Sequence, residues 1–191
     1  MYININADHL VLDEVMPKLT DQMQTRVMKY TRLIDRQLSA AAYILLIEGL
    51  KEQFGLQTDY TLSFSENGKP FLTNHPEIHF SLSHSGNASV CVLSDSPVGV
   101  DIEDLNALQD AAFEDTVCFT MNTAEQEIIR KANDRKLQFL IFWTQKEALL
   151  KLSGKGIRNN MRSVLEETID FDLQTFIKDN RFVYSIAQQK K

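Results

Sequence analysis

Cysteine, proline and glycine are all scarce in this chain of 191 residues, which holds two, four and seven of them. The two cysteines, Cys91 and Cys118, stand at no metal-ligand spacing and each falls in an apolar segment. That excludes a disulfide scaffold and a zinc module, and leaves two buried, reduced thiols as the expectation. So little proline and glycine excludes collagenous and low-complexity chains. Long hydrophobic runs are missing too: nothing approaches the ~20 apolar residues that span a bilayer, so no membrane partner is expected. The opening segment from Met1 to Leu10 lacks the basic flank and apolar stretch of a secretory signal, and the expected location is the cytoplasm. Positive charge is in deficit, with 20 Lys and Arg against 26 Asp and Glu and a net charge of −6. A general nucleic-acid binder advertises a basic face, so no nucleic-acid partner is expected. A small basic pocket for a phosphorylated ligand remains possible, because it needs only a few residues.

What is present is an ordinary globular composition, 43% hydrophobic and 24% charged. A chain of this length buries roughly 70% of the surface its unfolded form exposes, and needs no staples. Residues 3–5 and 10–12 read as an opening strand and a connection. From Thr20, apolar residues Val27, Tyr30, Ile34, Leu38, Ala41, Leu45 and Phe54 recur at three- and four-residue steps, the period of a helix packed on a core. Gly49 and Gly55 are candidate breaks or C-caps near its end. The period then changes to two. Tyr60, Leu62 and Phe64 precede the turn Glu66-Asn67-Gly68-Lys69, and Ile78, Phe80 and Leu82 alternate again. A polar loop, Ser83 to Asn87, leads to the apolar run Val90 to Leu93, and the turn Ser94 to Pro97 opens a strand from Val98 to Glu103. Helices follow over 122–133 and 135–153. A hairpin closes the chain, turning at Asp179-Asn180. Helix followed by strands in each half gives an α+β fold, with a division that places residues 1–96 in one half and 97–191 in the other.

Three segments carry chemistry. In an extended strand, Asp101 and Glu103 leave the same face. Paired carboxylates repel, and a hard divalent cation relieves that repulsion; a solvated loop or a helix cap at Glu103-Asp104 is the bland alternative. On a helix, Trp143, Glu147 and Lys151 fall on one stripe at four-residue steps. They form either one wall of a charged site or an exposed Glu147–Lys151 ion pair contributing about 0.3–0.5 kcal/mol. The helix ends in Gly154-Lys155-Gly156, which lacks the spacing of a Walker phosphate loop. In the third segment, Ser83 and Ser85 flank His84, which can donate a hydrogen bond to a phosphate oxygen. No nucleophile-elbow pattern supports a hydrolase triad there.

Taken in order, Gly68-Lys69-Pro70, Phe80 to Ser85, Gly99 to Glu103, and Trp143 to Ala148 with Lys151 and Gly154-Lys155-Gly156 resemble the 4′-phosphopantetheinyl transferases. The similar group is the single-chain type that activates peptide and polyketide synthetases. The resemblance runs from about residue 26 to 160. It implies two similar α+β halves related by a pseudo-two-fold, with coenzyme A in the cleft between them, so that a monomer suffices. It implies Asp101, Glu103 and Glu147 as magnesium ligands and His84 and Lys151 beside the cofactor phosphates; as a ligand, Asp101 is expected to face solvent, so that Asp101→Ala would leave folding intact. Gly68, Lys69 and Pro70 fall beside the adenine end, Ser83 and Lys155 join the cofactor-binding set, and Arg36 matches an arginine that holds the 3′-phosphate. Glu125 matches an acidic position after the metal strand, with Glu127 two residues on as the other candidate. The chain departs from the family in that the stretch Asp21 to Lys29, ahead of Arg36, offers only Arg26 and Lys29 as basic residues for the 3′-phosphate. The implied reaction moves phosphopantetheine from coenzyme A to a serine of an apo acyl or peptidyl carrier protein, releasing adenosine 3′,5′-bisphosphate. Glu147 would be the general base, and Lys151 and His84 would stabilise the leaving phosphate. A metal-dependent nucleotide pyrophosphate hydrolase and a non-catalytic coenzyme A or carrier-binding module are the alternatives.

Overall fold

The computed structural model describes residues 1–154, 161–167 and 170–190. Strand β1 (Tyr2–Asn4) opens the chain, followed by a single helical turn α1 (Leu12–Val15) and helix α2 (Asp21–Val27). Thr20 caps α2 by accepting a hydrogen bond from the Met23 amide. The long helical period therefore divides in two: α2 stops at Val27, and α3 (Leu33–Phe54) begins after an irregular bend. Gly55, with φ 71°, closes α3 as a left-handed C-cap, as expected of glycine there. Gly49 does not break the helix. It is buried inside α3, where a Cβ would come within 2.4 Å of Leu93 and 2.8 Å of Tyr2. Its missing side chain lets α3 lie close against the strands.

Strands β2 (Leu62–Phe64) and β3 (Pro70–Leu72) form an antiparallel hairpin of their own. Strands β4 (His79–Ser85) and β5 (Ala88–Ser94) form a second hairpin, and β5 also pairs with β1, giving the sheet order β1-β5-β4. Ser83 to Ser85, expected in a loop for their polarity, belong to β4; the turn is Gly86-Asn87 alone. The second half opens with β6 (Val98–Asp104). Helices α4 (Phe113–Thr120), α5 (Thr123–Lys131) and α6 (Arg135–Ser153) precede the hairpin of β7 (Phe171–Lys178) and β8 (Phe182–Gln189). Helix α4 had no counterpart in the expected elements. The sheet order here is β6-β8-β7, all antiparallel. Asp179 and Asn180 turn the last hairpin with φ of 54° and 50°, the conformation that the tight two-residue turn requires.

Helix α3 buries Tyr43, Leu46 and Leu50 against Phe80, Cys91 and Leu93. Helix α6 does the equivalent with Ala148, Leu149 and Leu152 against Ala187. Between the halves, Val90 and Val92 meet Val98, Val100, Ile102 and Tyr184 in one buried cluster. Of the two thiols, Cys91 is buried as expected. Cys118 is exposed, because α4 turns that residue outward while burying Phe113 and Val117.

The two sheets meet where β4 runs beside β6, and the bonds there are unusual. The amides of Val100, Ile102 and Asp104 donate to the hydroxyls of Ser81, Ser83 and Ser85, at 3.0, 3.4 and 3.3 Å. Alternating serines on one strand thus satisfy the outer edge of the next. Ser81→Ala removes one such acceptor from a buried amide and should cost about 1–2 kcal/mol, read as a lower urea midpoint with an unchanged slope.

Candidate active site

A cavity of about 590 Å³ lies between the halves. Helix α3 and the segment before it contribute Tyr30, Ser39 and Tyr43. The β2–β3 hairpin contributes Phe64, Asn67, Gly68, Lys69 and Pro70. Strand β4 contributes Ser83 and His84, β6 contributes Asp101, and α6 contributes Glu147 and Lys151. Each falls there for a local reason. On β6, Val98, Val100 and Ile102 point into the cluster between the halves, which turns Gly99, Asp101 and Glu103 toward α6. On α6, the four-residue stripe returns to β6: Trp143 Nε1 donates to Glu103 Oε1 at 3.1 Å and Lys151 Nζ donates to Asp101 Oδ1 at 2.7 Å. Lys151 therefore pairs across to Asp101. Glu147 is buried at 7% exposure, which rules out a solvated Glu147–Lys151 pair.

Asp101 is not solvent-facing as expected; it is 4% exposed and accepts from Ser83 Oγ at 2.8 Å as well as from Lys151. Lys151 Nζ also donates to Ser83 Oγ at 2.7 Å. That hydroxyl, with one donor and two acceptor positions, is fully engaged. Ser85 Oγ donates to Glu103 Oε2 at 2.6 Å. Of the buried carboxylate oxygens without a hydrogen-bond partner, two belong to residues of this cavity, Asp101 Oδ2 and Glu147 Oε1; Asp8 Oδ1 and Glu125 Oε1 lie outside it. Such orphaned acceptors are costly unless a cation or donor completes them. Burial, and next the charge of Asp101, push the Glu147 carboxyl up to about 7, with Lys151 opposing. Glu103 is likewise pushed up to about 7 by burial and then Asp101, with Ser85, Trp143 and Lys151 opposing. His84 is pushed down by burial and next by Lys151, so the neutral imidazole is favoured; it stands 3.5 Å from Tyr30 Oη.

Among the described residues, no three His, Cys, Asp or Glu side chains converge into a ready-made cation cluster. Asp101 and Glu147 share the large cavity, while Glu103 lines a smaller one of about 180 Å³ with Asp104 and Trp143. Orphaned oxygens on two carboxylates are the hard ligands that a divalent magnesium ion takes, so the donor set fits that ion at Asp101 and Glu147. Glu103 shares the strand face of Asp101, each of its oxygens already accepting one hydrogen bond.

Gly68 and Pro70 line the cavity. Lys69 also lines it, but its ammonium donates to the carbonyls of Leu152 at 3.0 Å and Val98 at 3.4 Å, and burial pushes its proton affinity down. Arg36 is held away from the cavity lining, with its Nε donating to the Tyr30 carbonyl at 2.7 Å. Arg26 takes a place in the wall instead, its guanidinium 5.5 Å from the Phe64 ring centroid. Lys29 is exposed. Lys155 lies outside the described residues. Glu125 serves elsewhere: it completes a capping box with Asn122 and accepts from the fully buried Lys146 at 2.6 Å. Tyr30, Tyr43 and Asn67 are additions to the wall. The tyrosines were hidden because an apolar body at helical spacing reads as core; Asn67 reads only as a turn residue.

The family model for the 4′-phosphopantetheinyl transferase superfamily matches residues 97–189, which contain β6, α6 and the closing hairpin. Over that half, the chain is similar to the superfamily. Among named transferases it is similar to psf-1 of Bacillus pumilus, 29% identical over 153 residues, covering 80% of this chain and 65% of the relative. It is similar to Sfp of Bacillus subtilis strain 168, 24% identical over 147 residues, covering 76% and 64%. HetI of Nostoc sp. strain PCC 7120 matches a shorter stretch, 33% identical over 100 residues, covering 49% and 41%. The chain thus spans just under two thirds of the length of the transferases psf-1 and Sfp. No helix among the described residues is long and apolar enough to cross a membrane.

Proposed function

We propose that this chain transfers the 4′-phosphopantetheine group of coenzyme A to a serine of an apo acyl or peptidyl carrier protein. The observation that carries the reading is the pair of unpartnered buried oxygens on Asp101 and Glu147, two residues that line one cavity with Lys151 and His84. A volume of about 590 Å³ lies in the range of small-molecule sites. Its walls offer aromatic rings at the Phe64 and Arg26 end and charge at the Lys151 end, as a molecule with an adenine and a pyrophosphate requires.

Asp101 and Glu147, with Glu103 alongside, would hold magnesium, which supplies neutralisation of the pyrophosphate charge that otherwise repels a nucleophile. The carrier serine oxygen forms a bond to the phosphorus bearing the pantetheine arm, and the phosphorus–oxygen bond to adenosine 3′,5′-bisphosphate breaks. Glu147 takes the serine proton, as its place in the cavity beside Asp101 and Lys151 allows. Lys151, held by Asp101 and Ser83, is oriented to stabilise the leaving phosphate, and His84 adds a neutral hydrogen-bond donor.

The two halves, 1–96 and 97–191, are read as related by a pseudo-two-fold. In support, each has a first strand, then a long helix, then a hairpin whose second strand is central: β1-β5-β4 with α3, and β6-β8-β7 with α6. An internal two-fold makes a monomer sufficient. Two free cysteines are consistent with work in the cytoplasm.

The test is to incubate the protein with coenzyme A, magnesium and an apo carrier protein and follow the carrier by intact mass. A phosphopantetheine adduct that chelator abolishes is the expected result. Coenzyme A cleaved without any carrier, or bound with the carrier mass unchanged, would overturn it.

A further inference from the structure

The last four carbonyls of an α-helix have no partner within the helix, and they form its negative end. In α6 that last turn carries Lys151, one turn after Glu147. Two of its terminal carbonyls are satisfied from the other half of the molecule. Lys69 Nζ donates to the Leu152 carbonyl and Asn67 Nδ2 donates to the Gly154 carbonyl, both at 3.0 Å and across more than 80 residues of sequence. Both donors sit at the tip of the β2–β3 hairpin. That tip is braced internally: the Ser65 amide donates to the Lys69 carbonyl at 2.9 Å, the Gly68 amide to the Ser65 carbonyl at 2.8 Å, and the Lys69 amide to Ser65 Oγ at 3.1 Å. Gly68 holds the required left-handed φ of 79°. Asn67 and Lys69 are therefore fixed together on a stiff element.

The same hairpin presents Phe64, Gly68 and Pro70 to the cavity, while α6 presents Glu147, Leu150 and Lys151 from the facing side. The two walls are thus tied directly at their rims. We infer that the β2–β3 hairpin is a clasp, in which Asn67 and Lys69 cap the end of α6 in trans and so set the span of the cavity and the placement of Lys151. Lys69 is on this account a positioning residue, in place of the contact beside the adenine end that the family resemblance implies. The consequence for ligand binding rests on the coenzyme A reading above; the capping itself does not.

Two arms test it on the full chain. In the ligand-free protein, amide exchange over Leu150 to Gly154 should quicken about 5- to 10-fold in Asn67→Ala and in Lys69→Met, as the loss of one hydrogen bond implies. Lys69→Met keeps the aliphatic stem that packs near Gly154 and removes only the ammonium. Asn67 is exposed, so its variant keeps the test open if Lys69→Met fails to fold. Exchange as slow as wild type in either folded variant would overturn the clasp. In the second arm, calorimetry with coenzyme A and with 3′-dephospho-coenzyme A should show both variants weakened about 5-fold for both ligands alike. A loss in Lys69→Met larger for the more phosphorylated ligand, with Asn67→Ala unaffected, would make Lys69 a phosphate contact and overturn the positioning role. A wild-type protein that bound neither ligand would overturn the coenzyme A reading, while the exchange arm would still decide the clasp.

Discussion

Glu147→Gln should lose transfer activity by at least about 100-fold and, in chelator above pH 7, should unfold at higher denaturant than wild type. Both effects have one cause. The Glu147 carboxylate is buried, leaves Oε1 without a partner and faces the charge of Asp101. Its pKa stands at about 7 in the fold, against 4.5 for the ordinary side chain. The folded state therefore keeps the proton to higher pH than the unfolded state does. Stability is unpenalised below pH 4.5, falls as pH rises toward 7, and stays low above it. A rise of that size corresponds to on the order of 1–3 kcal/mol. Glutamine has the same shape and no charge, so the penalty vanishes and the gain is full at pH 8 and absent at pH 4. Urea titrations of both proteins in chelator at the two pH values read it directly. Equal midpoints at pH 8 would show that the carboxylate is not strained by its surroundings, and near-wild-type turnover would refute its role as base.

Gly99→Ala should be the most damaging small change in β6. A Cβ there would lie 1.9 Å from the Ala148 carbonyl oxygen and 2.5 Å from the Leu152 amide nitrogen. Both are backbone atoms of α6, so no side-chain rotation relieves the clash and the helix must move off the strand. Overpacking of this kind costs about 1–3 kcal/mol, with the top of that range expected where backbone must yield. The same displacement separates Lys151 from Asp101, a bond of 2.7 Å, so activity should fall further than the folded fraction does. Denaturant midpoint and intact-mass turnover, measured on the same sample, separate the two losses. A wild-type midpoint would contradict the close packing.

The parts of this site that were legible from sequence are those set by local period. Two-residue spacing put Asp101 and Glu103 on one strand face, and four-residue spacing put Trp143, Glu147 and Lys151 on one helix stripe; both follow from backbone geometry alone. Partners across the fold were not legible. The helical neighbour of Lys151 is Glu147, yet its ion pair is Asp101, chosen by how α6 lies on β6. Arg36 has the right residue type, but its guanidinium is turned to the Tyr30 carbonyl, and Arg26 reaches the cavity instead. Ser83 to Ser85 read as loop because their hydroxyls have no use within their own sheet; they serve the next one. Helix α4 was missed because its eight residues, Phe113–Thr120, bury only Phe113, Val117 and Thr120, too short a stripe to stand out. Glu125 carries the signature of a helix start, Asn122 to Glu125, and its pairing with Lys146 depends on a helix a further turn of chain away.

The hydroxyls between β4 and β6 have a consequence for how the molecule must be assembled. Each accepts an amide from one half with its lone pairs, and those of Ser83 and Ser85 direct their single protons at Asp101 and Glu103. Cohesion and chemistry therefore share atoms. The second half by itself would keep its acidic residues but lose the groups that aim them, so severed pieces of this chain should regain a shaped reaction centre only on recombining.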